Sequence, residues 1–184
     1  MNRILRLVIA AAVVSVASVA TVAAQSARFG VGGGLISPVS DYGNQDKTGW
    51  HVAANVEFAI PLSPFGVRVD GLYGQTDHQS PLNGNTKLAG GLVGFVWKIP
   101  TAVPMVKPYL LAGGGVYNFK QTFPSSPGTP ETSNTKFTWA AGGGASLGVG
   151  PVHGFLEARY ASIQLSGAAV KFIPVTAGLT FGAQ

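Results

Sequence analysis

Along most of the chain beyond residue 26, apolar residues alternate with polar or small residues at a period of two. This period places successive side chains on opposite faces of a β-strand. Clusters of Gly, Pro, Asn and Asp interrupt the alternation and divide it into segments that predict eight strands. The predicted strands cover residues 27–36, 48–60, 67–76, 86–99, 108–120, 136–149, 154–165 and 170–181.

The length and the facing of these segments indicate a membrane barrel. Most exceed the roughly five or six residues usual in soluble proteins and suit the roughly 9–11 residues of a tilted transmembrane strand. In segment 48–60, Trp50, Val52 and Val56 share one face, whereas His51 and Asn55 share the other. An apolar face toward lipid and a polar face toward a lumen is typical of such barrels. The sequence therefore predicts an all-β fold, an eight-stranded antiparallel up-and-down transmembrane β-barrel.

The connections between the predicted strands fall into two groups. Short or proline-stiffened connections are predicted at 61–66, 101–107 and 150–153, and longer polar ones at 37–47, 77–85 and 121–135, with a short fourth member at 166–169. Bacterial barrels have short periplasmic turns and longer extracellular loops. We therefore predict the first group and both termini on the periplasmic side.

Aromatic residues lie near both ends of the predicted strands, where amphipathic rings suit a membrane interface. The predicted periplasmic belt contains Phe29, Phe58, Phe95, Trp97, Tyr109, Phe155 and Phe181. The predicted outer belt contains Trp50, Tyr73, Tyr117, Phe119, Phe137, Trp139 and Phe172.

The first 24 residues have the pattern of a signal peptide. Arg3 and Arg6 give a basic start, residues 7–20 are apolar, and Val22-Ala23-Ala24 supplies the small residues of a cleavage site. The apolar run is shorter than the ~20 residues that a spanning helix needs, which argues against a retained anchor. We expect cleavage near Ala24 and an exported barrel domain of residues 25–184.

Composition agrees with a wall that faces lipid. Only 10% of the 184 residues are charged, whereas a soluble domain has about a quarter. The absence of Cys excludes disulfides, Cys-ligated zinc, a thiol nucleophile and an acylated lipoprotein anchor. The net charge of +5 comes without a clustered basic patch, so we expect no nucleic-acid partner.

Glycine is abundant, with 26 residues, and three triplets stand out at 32–34, 113–115 and 142–144. Their spacing does not fit a phosphate-binding loop. A small barrel needs strong curvature, and glycine permits tight bends and close backbone approach. We expect inward glycines to leave room for large side chains from the opposite wall.

The signal peptide, the eight alternating strands, the glycine-rich strand centres and the closing segment 173–181 resemble the small bacterial outer-membrane β-barrel family. This superfamily contains the OmpA transmembrane domain, OmpX-like and opacity-type proteins. The resemblance implies residence in the outer membrane of a Gram-negative-type cell envelope. It also implies that the barrel-insertion machinery reads the last strand during assembly. In this chain Phe181 is followed by Gly182-Ala183-Gln184, whereas the family usually ends on the aromatic residue.

Five charged residues are predicted to face the lumen, namely Glu57, Arg68, Asp70, Glu157 and Arg159. Both signs in a narrow interior suggest a salt-bridge plug, because pairing neutralises charges that are costly to desolvate. The alternative is the selectivity lining of a narrow porin-like channel for small solutes. Eight strands enclose only enough space for side chains, which favours the plug.

Five lysines lie near the predicted outer rim, namely Lys47, Lys87, Lys120, Lys136 and Lys171. They could pair with lipopolysaccharide phosphates as point charges. The alternative is that charges simply mark the strand ends, because several carboxylates share this rim.

An enzyme, such as a lipid A-modifying barrel, is the competing class. The histidines His51, His78 and His153 show no defined geometry with a nucleophile and an acid. We therefore expect no catalytic residues, metal or cofactor. The sequence favours a monomeric, non-enzymatic protein with a structural or surface-interaction role through its extracellular loops. The extracellular partner is not specified. A soluble secreted β domain ranks behind the narrow channel as an alternative.

Overall fold

The computed structural model describes residues 27–40, 46–78, 84–103, 105–122, 132–148, 151–165 and 168–182. It contains eight strands: β1 (Ala27–Val39), β2 (Gly49–Ala59), β3 (Phe65–Asp77), β4 (Asn85–Lys98), β5 (Val106–Thr122), β6 (Thr132–Leu147), β7 (Val152–Leu165) and β8 (Ala168–Phe181). Each strand pairs antiparallel with its sequence neighbours, and β1 pairs with β8 to close the barrel. The predicted fold is therefore confirmed. The predicted signal peptide lies outside the described residues.

The largest differences from the predicted strand ends lie on the side of the longer connections, and β3, β5, β6 and β7 also differ by two residues at their other ends. β5 and β6 remain paired as far as Gln121 and Thr132, within the predicted loop 121–135. Apolar alternation ends where strands leave the lipid, but Ser, Thr and Asn still form ladder hydrogen bonds there. The connection between β5 and β6 is thus confined to residues 123–131.

The barrel has two distinct ends. The turn end carries the β2–β3, β4–β5 and β6–β7 connections and both strand termini, Ala27 and Phe181. The loop end carries the other connections. At the turn end, Ile60 N donates to Phe65 O at 3.0 Å across a tight turn, in which Leu62 adopts a left-handed φ of 58°.

The outer wall is apolar, as the alternation predicted. Large exposed side chains follow every strand; they include Val31, Val52, Val69, Val93, Leu110, Val116, Leu156, Val175 and Leu179. An apolar surface of this extent would be unfavourable in water, because soluble monomers rarely expose large contiguous apolar patches. It suits the hydrocarbon region of a bilayer, where closure of the sheet satisfies the backbone hydrogen bonds.

The aromatic belts are smaller than predicted. Five of the predicted belt residues are buried in the lumen instead: Tyr109, Tyr117, Phe119, Phe155 and Phe172. Each shares strand parity with inward residues, and parity rather than closeness to a strand end decides the face. Among the described residues, the exposed rings are Phe29, Phe65, Phe95, Trp97 and Phe181 toward the turn end, and Trp50, Tyr73, Phe137 and Trp139 toward the loop end.

The lumen is not uniformly polar. Its loop-side half is packed with apolar side chains, here called the apolar layer: Ile36, Leu88, Leu92, Tyr117, Phe119, Ala140, Ala161, Ile163, Val170 and Phe172. The rings of Tyr117 and Phe172 meet edge to face, with centroids 6.0 Å apart. A small barrel has room inside only for side chains, so this half packs like the core of a soluble protein.

In the part of the chain that the structure describes, no helix has both the length and the apolar character that crossing a membrane would require.

Candidate functional site

Four charged side chains meet across the lumen in a closed arrangement, here called the lumen ring. Arg68 and Asp70 lie two residues apart on β3, and Glu157 and Arg159 lie two residues apart on β7. A spacing of two keeps both members of each pair on the inner face of their strand. Because β3 and β7 are four strands apart in an eight-stranded barrel, the two pairs face each other across its diameter.

Each arginine of the ring contacts both carboxylates. Arg68 Nη1 lies 2.7 Å from Glu157 Oε2, and Arg68 Nε lies 2.8 Å from Asp70 Oδ1. Arg159 Nη2 lies 2.6 Å from Asp70 Oδ1, and Arg159 Nε also contacts Glu157 Oε1. Tyr109 adds a hydrogen bond from its hydroxyl to Glu157 Oε2 at 2.8 Å.

The ring is buried and carries no net charge, because two arginines face two carboxylates. The side chains of Glu157 and Arg68 are only 1% and 6% exposed. Burial of single charges would be strongly unfavourable, whereas a ring in which each charge has two opposite neighbours offsets that penalty. Chemically, the arrangement is a neutral set of paired charges that spans the lumen.

Glu57, the fifth residue of the predicted lumen cluster, does not join the ring. Its Oε1 lies 2.6 Å from Lys98 Nζ and 3.9 Å from Arg28 Nη1, nearer the turn end. Sequence reasoning did not assign Arg28 or Lys98 to the lumen. The parity of Arg28 with Gly30 and the other inward residues of β1 was the signal that could have identified it.

Space inside the barrel is divided unequally about the lumen ring. Beside the ring lie voids of only about 20 and 10 Å³, with room for at most one water molecule. On its turn-end side lies a cavity of about 360 Å³, here called the turn-end cavity. On the other side lies the apolar layer.

The five predicted rim lysines are not equivalent. Lys87 on β4 is exposed and lies directly opposite Lys120 on β5, and both belong to outward-facing positions. Lys171 also has outward parity, and Lys47 is exposed just before β2. Lys136 has the parity of the buried Thr138, so it belongs to the lumen side.

The histidines lie at three separate places. His51 Nε2 is 2.8 Å from Thr176 Oγ1 inside the lumen. At the loop end, His78 Nδ1 is 2.9 Å from Asp46 Oδ1. Thr76 donates a hydrogen bond to Asp46 Oδ2 at 2.5 Å, so the carboxylate ties these two residues together.

The third histidine, His153, was predicted in a tight turn but lies in β7, where it is buried against the turn-end cavity. Among the described residues, no three His, Asp or Glu side chains are grouped as metal ligands.

These features define an eight-stranded membrane β-barrel whose lumen is blocked by an ion-pair ring and an apolar layer. A family model described as "Outer membrane protein beta-barrel domain" matches residues 9–181. The chain belongs to this outer-membrane β-barrel family. No curated protein matches the chain significantly.

Several solved structures have the same fold. Neisserial surface protein A (NspA) has a TM-score of 0.68 at 18% identity, with 85% of this chain and 97% of that chain covered. Ail, the attachment invasion locus protein of Yersinia pestis, has a TM-score of 0.53 at 21% identity, with 84% and 97% covered. The N-terminal β-barrel domain of Pseudomonas aeruginosa OprF has a TM-score of 0.51 at 11% identity, with 85% and 97% covered. At these identities the likeness shows the fold alone.

Proposed function

We propose that this protein is a non-conducting, non-enzymatic resident of the bacterial outer membrane that acts through its extracellular surface. The observation that carries the proposal is the blocked lumen, in which the lumen ring and the apolar layer follow one another along the barrel axis. A blocked barrel leaves its outer rim and its loops as the surfaces on which a partner can act.

The same observation opposes the channel alternative. A porin-like path would need connected water-filled space, whereas the voids beside the ring are only about 20 and 10 Å³. A lipid A-modifying activity would need a nucleophile and a base in contact near the lipid. His51 and His153 face the lumen, and His78 is held against Asp46.

Planar bilayer recording tests the blocked lumen. Refolded mature protein should produce no regular single-channel steps, because the ion-paired ring has only small voids of about 20 and 10 Å³ beside it. Slower migration of boiled than of unboiled protein on a gel would verify that the barrel is folded. Regular steps that Arg159→Ala abolishes would contradict the proposal, since they would make the ring a selectivity lining.

We further propose lipopolysaccharide as the partner of the outward rim. Lys87 and Lys120 lie side by side across the β4–β5 ladder at the loop end. Side chains directly opposite one another in a ladder lie close enough for one anion to contact both. A phosphate accepts charge-assisted hydrogen bonds from both ammonium groups. Lys47 and Lys171 would extend the same rim.

Lipopolysaccharide retention during purification tests this proposal. The double variant Lys87→Gln/Lys120→Gln should retain about half as much lipopolysaccharide as the wild type or less, because two charge-assisted contacts are lost. Lys136→Gln is the matched control, since Lys136 lies at the same end but on the lumen side. Equal retention by the double variant and the wild type would eliminate the rim as a lipopolysaccharide contact.

The proposal also includes three expected properties of the protein. They are cleavage of the signal peptide near Ala24, a monomeric state, and recognition of β8 by the barrel-insertion machinery. The surface role agrees with the name of Ail, which refers to attachment and invasion.

A further inference from the structure

The turn-end cavity has the size of a small-molecule site. Its volume is about 360 Å³, and ligand pockets in proteins range over roughly 300–1,000 Å³. The lumen ring forms its floor through Arg68. Its rim includes the exposed turn residues Pro100, Thr101 and Val103, so the cavity is reached from the turn end.

The cavity has an excess of positive charge. Arg28, Lys98 and Lys107 line it, whereas Glu57 is its one carboxylate among the lining residues. Among the lining residues other than Arg68, whose charge is balanced within the lumen ring, three cations and one carboxylate leave a formal excess of two positive charges. Glu57 Oε1 lies 2.6 Å from Lys98 Nζ and 3.9 Å from Arg28 Nη1.

Lys107 is the cation that this carboxylate does not neutralise. Within the described ranges of the chain, no ion pair to Lys107 occurs, although Lys107 lines the same cavity as Arg28 and Lys98. An anion placed among the three cations would pair with Lys107 and offset the excess positive charge. The lumen ring cannot do so, because its own charges cancel.

The remaining lining is suited to an organic rather than an inorganic anion. Val96, Ile99 and Phe155 form apolar wall, and the hydroxyls of Ser146 and Thr180 lie among the polar lining groups. Small-molecule sites combine mainly apolar walls with a few polar groups that fix orientation.

We propose that the turn-end cavity binds a small organic anion, a carboxylate or phosphate carried on an apolar group. The anionic group is held by Lys107 and Lys98, with Arg28 beside them, and the apolar part packs on Val96 and Phe155. This activity is additional to the surface role, because it uses the opposite end of the barrel.

Calorimetric titration of the mature protein in phosphatidylcholine nanodiscs, with phenyl phosphate as the ligand, tests the proposal. Wild-type protein should bind phenyl phosphate saturably, whereas neutral benzyl alcohol should give only the signal of empty nanodiscs. Lys98→Gln/Lys107→Gln should weaken binding by about tenfold or more, since charge-assisted contacts are lost. The loop-end double variant Lys87→Gln/Lys120→Gln is the matched control and should bind like the wild type.

The single variant Lys107→Gln separates loss of binding from loss of folding, because Lys107 makes no ion pair among the described residues. It should bind phenyl phosphate more weakly and still show the heat-modifiable migration of a folded barrel. No saturable binding by the wild type, or equal binding by wild type and both cavity variants, would overturn the proposal. Competition then identifies the source of the anion. Displacement at lower concentration by dihexanoyl phosphatidylglycerol than by benzoate identifies a lipid headgroup, and the reverse order identifies a soluble carboxylate.

Discussion

At the scale of single residues, three inward aromatic rings each lie over a glycine on the neighbouring strand. The pairs are Gly90 with Tyr117, Gly144 with Tyr109 and Gly178 with Phe155. A Cβ atom on Gly90 would lie 2.5 Å from Cγ of Tyr117. The inward glycines thus make room for large side chains, as predicted, but in these pairs the rings come from the adjacent strand instead of the opposite wall.

The pairing predicts that Gly90→Ala destabilises the barrel. The added methyl group would also lie 2.5 Å from Val116 O, so the backbone or the Tyr117 ring must shift. Overpacking of this kind costs about 1–3 kcal/mol. Urea unfolding of refolded protein in lipid vesicles measures the change in the free energy of unfolding.

Gly71→Ala provides the matched comparison, because a Cβ atom there would approach Ala54 O only to 4.0 Å, on the lipid-facing side. We expect a change close to zero for Gly71→Ala. Equal losses of stability for the two variants would show that the Gly90–Tyr117 contact is not the cause.

At the scale of elements, β3 and β7 carry complementary charge patterns. β3 reads Arg68-x-Asp70 and β7 reads Glu157-x-Arg159, and the two strands run in the same direction because they are four apart in an antiparallel barrel. Opposite charges therefore meet at each level, Arg68 with Glu157 and Asp70 with Arg159. The ring thus joins two strands that share no backbone hydrogen bonds.

This complementarity predicts that the losses in free energy of unfolding caused by substituting Arg68 and Glu157 are strongly non-additive. Arg68→Gln alone should cost about 3–5 kcal/mol, because it leaves a buried negative charge without compensation. Arg68→Gln/Glu157→Gln should cost less than Arg68→Gln alone, since Asp70 and Arg159 remain paired and the lumen stays neutral. A double-mutant cycle on unfolding in vesicles provides the coupling energy.

Lys98→Gln, which removes the partner of Glu57 outside the ring, is the control for this cycle. The Lys98 side chain is 28% exposed, so Lys98→Gln should cost no more than about 1 kcal/mol. Costs of Arg68→Gln and Glu157→Gln that simply add in the double variant would contradict a coupled ring.

At the scale of the whole molecule, alternation was sufficient to predict eight strands and the face of most residues. It could not predict which inward residues meet. Glu57 lies directly opposite Arg68 in the β2–β3 ladder, yet Arg68 contacts Glu157 across the lumen and Glu57 contacts Lys98. Such partners depend on the tilt and register that closure imposes on all eight strands, and no local pattern encodes these.

The sequence pattern also did not predict the apolar character of part of the lumen. The sequence predicted a polar lumen, but the inward positions of β4 include Leu88, Leu92 and Val96, which are buried. Where both faces of a strand are apolar, alternation in hydrophobicity disappears. Only the three-dimensional position of each residue then separates the lipid-facing wall from the apolar layer.

The lumen ring also bears on how the barrel assembles. In a flat sheet, β3 and β7 would lie roughly 19 Å apart, since neighbouring strands are spaced by about 4.8 Å. The contacts between the two strands, Arg68 with Glu157 and Arg159 with Asp70, can therefore form only after the sheet has rolled up. In a sheet that closed with a strand missing, or with β7 displaced along its axis, each arginine would contact only the carboxylate of its own strand, Arg68 with Asp70 and Arg159 with Glu157. The ring thereby favours the closure and the register in which both contacts between β3 and β7 form.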